Sequence, residues 1–118
     1  ELEDYLIANG YNWDGTTTGN KIGKSLAATS GWNSSNEEGD VGNEQQSNNS
    51  TGFTALPGGY RSYGNGGFYH EGYYGYWWSA TVYSTSGAYY RYLYSKYSYV
   101  GRSHRSKEYG FSVRCLRD

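Results

Sequence analysis

The chain has 118 residues and a formal net charge of −1, with 19% aromatic residues, 18 glycines and one proline. That length suits one domain with a modest core, in which tyrosine and tryptophan must supply much of the burial because aliphatic residues are scarce. The composition excludes a Pro-rich ligand, no apolar run is long enough for a membrane span, and the single Cys115 excludes an internal disulfide.

The charge is spread unevenly along the chain. Residues 1–56 carry two lysines and eight acids, whereas residues 57–118 carry eight basic residues and three acids. The two halves either neutralise each other or leave a basic face for an acidic partner.

The first third predicts two short helices. Glu1–Ala8 has Leu2 and Leu6 four residues apart, acids in its first turn and a stop at Asn9-Gly10. After a polar connector, Asn20 is expected to cap a second helix, Lys21–Ala28, in which Ile22 and Leu26 are the buried pair.

A long polar stretch follows, Ser30–Thr51, with Trp32 and Val41 as its clear anchors. Its composition is typical of disorder, but a loop of this length inside a compact domain is usually functional or locally packed. Asp40 and the neighbouring glutamates offer oxygen ligands for Ca²⁺, yet their spacing fits no EF-hand, so a solvated acidic loop is favoured.

Strands dominate the second half. Phe53, Ala55 and Leu56 predict a short strand that ends at Pro-Gly-Gly, and Tyr76–Val82 predicts a second strand covered on both faces. The last strand is expected over Phe111–Arg117, with Phe111, Val113 and Cys115 facing the core and Cys115 as a buried thiol.

A hairpin rich in tyrosine lies between these strands. Half of the 16 tyrosines fall between Tyr83 and Tyr109. Alternation over Ala88–Tyr94 places Arg91 and Leu93 on one face and the tyrosines at 90, 92 and 94 on the other. After a turn at Ser95–Ser98, a return strand carries Val100 and Arg102 on the framework side. We therefore predict an α+β domain whose hairpin presents tyrosine outwards and whose core includes Leu93, Val100, Trp77 and Trp78.

Catalytic and metal sites are not predicted. His70 and His104 lack a recognisable nucleophile, and His70-Glu71 reads as a loop pair. We expect no enzyme activity, no metal site and no cofactor.

Five blocks, in this order, carry a resemblance to a known family: GWNSS, GFTALPGGYR, GYWWSAT, AYYRYLY and GFSVRCLRD. The chain resembles the Fibrobacter-type major paralogous domain of the C-type-lectin-like superfamily, which includes the formylglycine-generating-enzyme fold. The resemblance covers nearly the whole chain. It implies one C-type-lectin-like domain over 1–118, with two short helices, then antiparallel strands and hairpins with long irregular loops.

Two departures from the family patterns matter. Family members usually have a strand and a Pro-Thr turn before the first helix, whereas this chain begins inside that helix at Glu1, without Met or a signal peptide. We expect that strand either to have been lost or to lie outside the sequence, and the chain to be a processed or trimmed piece. The paired cysteines of the formylglycine-generating fold and the Glu-Pro-Asn and Trp-Asn-Asp motifs of calcium-dependent lectins are also missing.

Some members of this family are variable proteins of diversity-generating retroelements, in which AAY codons scatter into Tyr, Ser, His, Gly, Arg and related residues. Region 73–109 resembles the output of that process, because such residue types alternate with framework positions. Tyrosine, serine, glycine and arginine also dominate antibody paratopes, since they combine large contact area, few rotamers and adaptable hydrogen bonding. The predicted ligand-binding residues are Tyr74, Tyr83, Tyr90, Tyr92, Tyr94, Tyr97, Tyr99, Gly101, Ser103, His104, Arg105 and Tyr109.

The expected function is therefore non-catalytic recognition of a macromolecule, a protein or another cell-surface molecule, without membrane insertion. The expected location is the cell surface, the extracellular medium or a phage particle. The alternative is a carbohydrate- or nucleic-acid-binding surface domain without diversification. Interleaved arginines and aromatics suit a single-strand platform, but Arg91, Arg102 and Arg114 have framework parity and the net charge is slightly negative.

Overall fold

A computed structural model describes residues 2–113. It has two short helices and mostly antiparallel strands, as expected for an α+β domain. Within the described range, no helix has the length and apolar character needed to cross a bilayer.

Helix α1 spans Leu2–Ala8, with Glu3 and Asp4 in its first turn and Leu6 buried. Gly10 ends it in the left-handed conformation, φ +81°. The predicted first helix is confirmed, and Arg91 Nε donates a hydrogen bond to Glu3 Oε2 at 2.9 Å, which ties α1 to the sheet.

Helix α2, Gly23–Leu26, is a single turn rather than the predicted eight residues. It ends because Ala27 turns extended and forms a parallel bridge with Ala55. The predicted cap at Asn20 is wrong: its side chain accepts from Val100 N at 3.1 Å and donates to Val100 O at 2.9 Å, so it joins the hairpin instead. The predicted burial of Ile22 and Leu26 is confirmed.

The 30–51 stretch is packed locally. Trp32 and Val41 are buried, and the Gln45 side chain accepts from Trp32 N at 2.9 Å and donates to Trp32 O at 2.7 Å. A 3-10 turn, Gln45–Ser47, follows Glu44. The prediction of a solvated acidic loop holds for Glu44 but is wrong for Asp40, which is buried and accepts a hydrogen bond from Ser35 Oγ at 2.6 Å that offsets part of the cost of burying its carboxylate.

The predicted strand at Phe53–Leu56 is also wrong. Backbone bonds of Ala55 to Leu26 and Ala28, both 2.8 Å, make one isolated bridge. Thr54 has φ +58° beside it, which breaks the extended run, and Leu56 is 62% exposed.

Five strands form two sheets. Strands β1 (Tyr60–Arg61) and β2 (Phe68–Tyr69) form a small antiparallel ribbon. Strands β3 (Tyr74–Val82), β4 (Gly87–Tyr94) and β5 (Gly101–Ser106) form an antiparallel sheet in that order. The predicted hairpin is confirmed as β4 and β5.

Residues 110–112 join the two sheets. Arg61 and Gly110 exchange backbone hydrogen bonds of 2.8 and 2.9 Å, while Ser112 bonds to Tyr76 and Trp78 on the free edge of β3. Of the predicted last strand only this beginning is described. Val113, expected in the core, is 69% exposed, and Cys115 lies outside the described residues.

The two faces of the three-stranded sheet have different environments. One, called here the core face, carries Leu93 against α1, α2 and the 30–51 loop. Leu93 and Val100 are buried in the core as predicted, and Trp77 packs against them half-buried. The core residues are Leu6, Ile22, Leu26, Ala27, Trp32, Val41, Ala55, Leu93 and Val100.

Beyond Trp78 the sheet extends past this core. Residues 80–82 are exposed, so the prediction that both faces of this strand are covered holds only for its first half. Trp78 is half-buried on the opposite face and lies outside the main core.

Candidate ligand-binding site

The face opposite the core is built from tyrosines that the register brings together. In the β3–β4 ladder Tyr74 lies opposite Tyr94, Tyr76 opposite Tyr92, and Trp78 opposite Tyr90. Because side chains alternate along a strand, all six project to one side, together with Ser103 and Arg105 of β5. We call this surface the tyrosine face.

The rings on the tyrosine face stack on one another. Tyr74 and Tyr94 have centroids 4.3 Å apart at an interplanar angle of 8°, and Tyr74 and Tyr76 are 5.2 Å apart at 11°. Tyr97 and Tyr99, from the turn before β5, extend the row with a stacked pair at 4.7 Å. Such mutual packing limits the conformations of each ring before any ligand arrives.

A second layer covers one end of the face. Phe111 packs on Tyr76 at 5.0 Å and on Tyr90 at 4.8 Å, while Tyr60 meets Tyr76 edge-on at 5.7 Å and Tyr109 at 5.5 Å. These residues arrive from the β1–β2 ribbon and from the 109–112 segment, which the backbone bonds of Gly110 and Ser112 hold in place. The face is therefore open at one end and walled at the other.

Two adjoining cavities lie along this surface. The inner cavity, about 150 Å³, lies under the second layer, and the outer cavity, about 340 Å³, lies over the open tyrosines. They share His70, Tyr76, Tyr90 and Arg105. The inner cavity is further lined by Tyr60, Tyr109 and Phe111, and the outer one by Tyr74, Tyr92, Tyr97 and Ser103.

His70 reaches the boundary of the cavities from a tight turn. Its backbone has φ +67°, a conformation sparsely populated by residues other than glycine, and its carbonyl accepts from Tyr73 and Tyr74 N at 3.0 and 2.9 Å. Its Nδ1 lies 3.1 Å from the Tyr76 hydroxyl, within hydrogen-bond distance. This contact fixes the orientation of the Tyr76 hydroxyl at the junction.

The hydroxyls of Tyr74 and Tyr76 stay protonated at neutral pH. Burial raises the pKa of Tyr76 well above its usual range, and neighbouring Tyr74 and Tyr90 raise it further, while Arg105 opposes the shift. Burial also raises the pKa of Tyr74, with Tyr94 adding to the effect. Each phenol therefore offers both a donor and an acceptor to a ligand.

Glycine at 101 gives Tyr92 its position. Tyr92 and Gly101 are cross-strand partners, and a Cβ at residue 101 would lie 2.0 Å from Cζ of the Tyr92 ring. The ring thus lies over Gly101 of β5, where it lines the outer cavity. Gly101 is buried beneath the ring, and its lack of a side chain leaves the space that the ring occupies.

The sequence matches the family model described as the Fibrobacter succinogenes major domain over residues 1–117. The chain belongs to this family. Among curated proteins and solved structures, no match was found.

The structure of this family member brings most of the predicted binding residues to one surface. Tyr94 and Tyr99 stack beside the cavities on Tyr74 and Tyr97. Seven predicted residues line the two cavities: Tyr74, Tyr90, Tyr92, Tyr97, Ser103, Arg105 and Tyr109.

Three predicted positions need correction. Tyr90 was expected to point outwards into solvent but is only 4% exposed, because Phe111 and Tyr76 cover its ring. Tyr83 and His104 do not join the others: their rings stack on each other at 3.7 Å beside Tyr89, the cross-strand partner of His104, on the other side of the sheet.

Sequence reasoning missed four residues of the cavities. Tyr76 had a usable signal, since it alternates with Trp77 in β3 as Tyr92 does with Leu93 in β4. Phe111 was predicted to be core and instead lines the inner cavity half-buried. Tyr60 and His70 carry no local signal, because their placement depends on long-range bonds through residues 59 and 110.

The lining is suited to non-covalent contact. It offers rings, hydroxyls, one imidazole and one guanidinium, with no carboxylate among the described lining residues. Across residues 2–113, no group of three or more His, Cys, Asp or Glu side chains is placed to hold a metal ion.

Proposed function

We propose that this domain is a non-catalytic recognition module that binds a macromolecular ligand, a protein or another cell-surface molecule, on its tyrosine face. The observation that carries the proposal is the convergence of residues chosen by sequence alone on one pair of adjoining cavities. Tyrosine gives large contact area at a small cost in rotamer freedom, and Ser103 and Arg105 supply adaptable polar contacts.

The proposal extends to the origin of the surface. On a C-type-lectin-like scaffold, retroelement diversification would vary the tyrosine face and keep the core face. The supporting feature is the alternation itself: Leu93 and Val100 belong to the core, while Tyr92 and Ser103 line the outer cavity. A location at the cell surface, outside the cell or on a phage particle would suit such a module.

Nucleic acid binding is less well supported. Arg91 is engaged by Glu3, and Arg102 lies 3.9 Å over the Tyr89 ring on the far side of the sheet. Among the described lining residues Arg105 is the one lysine or arginine, whereas a single-strand groove needs a basic track beside its aromatic platform.

A matched pair of libraries tests the proposal. The first randomises positions 92, 94, 97, 103 and 105 on the tyrosine face, and the second randomises core-face and core positions 77, 91, 93, 100 and 102. We expect most members of the first library to fold, measured by protease resistance on a display platform, and selection against a panel of purified proteins to yield binders.

Few members of the second library should fold, because Leu93 and Val100 are buried. Equal loss of folding in both libraries, or a folded first library that yields no binders, would count against the proposal. A near-identical repeat downstream in the source DNA, differing only at template adenines, would test the retroelement origin separately, and its absence beside a reverse-transcriptase gene would remove that part.

A further inference from the structure

Arg105 is placed where the two cavities meet. It lines both of them, and it is the one lysine or arginine among the described lining residues. Its charge also acts on Tyr76, the buried tyrosine that lines both cavities, because it opposes the rise in the pKa of that phenol. A ligand group that enters the inner cavity therefore meets one guanidinium between aromatic walls.

The guanidinium of Arg105 is not neutralised within residues 2–113. The described ion pairs join Lys21 to Asp14 and Arg91 to Glu3, and neither pair includes Arg105. The described hydrogen bond of Arg105 is a long one, 3.4 Å, from Nη1 to the carbonyl of His104. Since a guanidinium has five N–H donors in a planar fork, most of its donors remain available to a ligand.

The size and walls of the inner cavity narrow the ligand class. About 150 Å³ is room for a group of benzene size. Ring walls reduce the exposure of a bound charge to water, which strengthens its attraction to the guanidinium. A guanidinium fork pairs bidentately with either a carboxylate or a phosphate, but a phosphate monoester spreads about two charges over three terminal oxygens and is usually held by several N–H groups or by more than one cation, whereas one fork satisfies both oxygens of a planar carboxylate.

We propose that the inner cavity binds a carboxylate presented by the partner, an acidic side chain or a chain terminus, through Arg105 and between the rings of Tyr76, Tyr90 and Tyr109. This inference rests on the proposed function, because it names the group that the tyrosine face recognises. The surrounding tyrosines supply contact area, and Arg105 supplies the preference for negative charge.

Small probes of one shape and different charge test the inference. Benzoate, neutral benzamide and cationic benzylamine are titrated at pH 7 and followed by ¹H–¹⁵N spectra that include the Arg105 Nε–H. We expect benzoate to shift the signals of residues 70, 76 and 105. It should bind at least about tenfold more tightly than benzamide, because only benzoate carries a charge opposite to that of Arg105; a tenfold difference corresponds to about 1.4 kcal/mol. Benzylamine should bind more weakly than either.

Variants locate the preference. Arg105→Gln should abolish the advantage of benzoate over benzamide, and Arg105→Lys should retain part of it because the charge stays but the fork is lost. Arg102→Gln is the matched control, since Arg102 lies over Tyr89 on the opposite side of the sheet, and it should leave the advantage unchanged. Thermal unfolding of each variant, compared with that of the wild-type protein, checks that the domain is still folded.

Several results would overturn the carboxylate site. They are equal binding of benzoate and benzamide, an advantage that survives in Arg105→Gln, no binding of any probe, or tighter binding of inorganic phosphate than of benzoate. Selection from a form of the first library that keeps arginine at position 105 separates the two proposals: selected variants that bind proteins through the tyrosine face without any preference for acidic epitopes would refute the inference and leave the recognition function standing.

Discussion

At the residue scale, two serines are both buried, but only one of them has hydrogen-bond partners for its hydroxyl. Ser95 is fully buried, and its Oγ has no hydrogen-bond partner among the residues described. Ser35 is also buried, but its Oγ donates to Asp40 Oδ2 at 2.6 Å and accepts from Glu37 N at 3.1 Å. A buried hydroxyl costs free energy when unpaired and stabilises when paired.

The two serines should therefore respond oppositely to alanine. We expect Ser95→Ala to raise the free energy of unfolding by up to about 1 kcal/mol, and Ser35→Ala to lower it by about 2 kcal/mol, because it strips a buried carboxylate of its partner. Urea denaturation of both variants measures the difference. A loss in Ser95→Ala equal to that in Ser35→Ala would mean that Ser95 has a hydrogen-bond partner after all.

The tyrosines of the tyrosine face also differ in burial, and we expect their contributions to stability to differ accordingly. Tyr90 is 4% exposed and touches Phe111, whereas Tyr97 is 36% exposed at the rim. Tyr90→Ala should cost about 3–5 kcal/mol, as expected for a buried aromatic, while Tyr97→Ala should cost about 1 kcal/mol or less. Denaturation midpoints check this, and similar values for the two variants would show that Tyr90 is not a packing residue.

At the element scale, the tyrosine face depends on how β4 and β5 are paired. Their register places Tyr92 over Gly101 and Tyr90 opposite Ser103. A slip by one residue would move the tyrosines to the core face and Leu93 to the opposite one, and burial of Leu93 and Val100 opposes such a slip. The core thus fixes the geometry of the surface that lies behind it.

Gly101→Ala tests this pairing. The new methyl would approach three atoms of the Tyr92 ring to within 2.5 Å, so the ring must leave its position over β5. We expect a loss of about 1–3 kcal/mol from overpacking in the wild-type background and a clearly smaller loss in a Tyr92→Ser background. A double-mutant cycle by chemical denaturation measures the coupling, and no coupling would contradict the placement of the Tyr92 ring over Gly101.

At the scale of the whole molecule, the tyrosine face links stability to alkaline pH. The pKa values of Tyr74 and Tyr76 are raised above their ordinary value of 10, chiefly by burial. Burial, with the nearby Tyr92 and Tyr97, raises the pKa of Tyr99 to about 12. The folded state disfavours the charged forms of these tyrosines. Their contribution to the free energy of unfolding is therefore complete below pH 10 and is lost as the pH rises through the folded pKa values.

We therefore expect the unfolding free energy to fall steadily from about pH 10 to pH 12, and some of the tyrosines to ionise only as the chain unfolds. Absorbance at 295 nm follows ionisation, and urea midpoints at each pH follow stability. Tyr76→Phe should flatten the fall because phenylalanine cannot ionise. A single ionisation near pH 10 with unchanged midpoints would be the contrary outcome.

Local signals in the sequence determined more of the strands than of the loops. Alternation predicted the hairpin, the core placement of Leu93 and Val100, and the tyrosine row, because the period-two pattern of a strand is visible within the strand's own sequence. The first helix was equally readable, since its acids, apolar pair and Gly10 stop lie within ten residues. Short apolar runs such as Phe53–Leu56 misled, because a nearby positive φ at Thr54 carries no clear sequence signal.

The sequence alone thus determined that this is an α+β chain with a tyrosine-rich hairpin whose two sides differ. Only the tertiary structure decided that the tyrosines form a groove, because its walls come from Tyr60, His70 and Phe111, which long-range backbone bonds bring to β3. It also decided that Tyr90 is buried and that His104 lies on the far side. Periodicity assigns a side chain to a face, but the elements that pack on that face decide whether it meets solvent, core or a cavity.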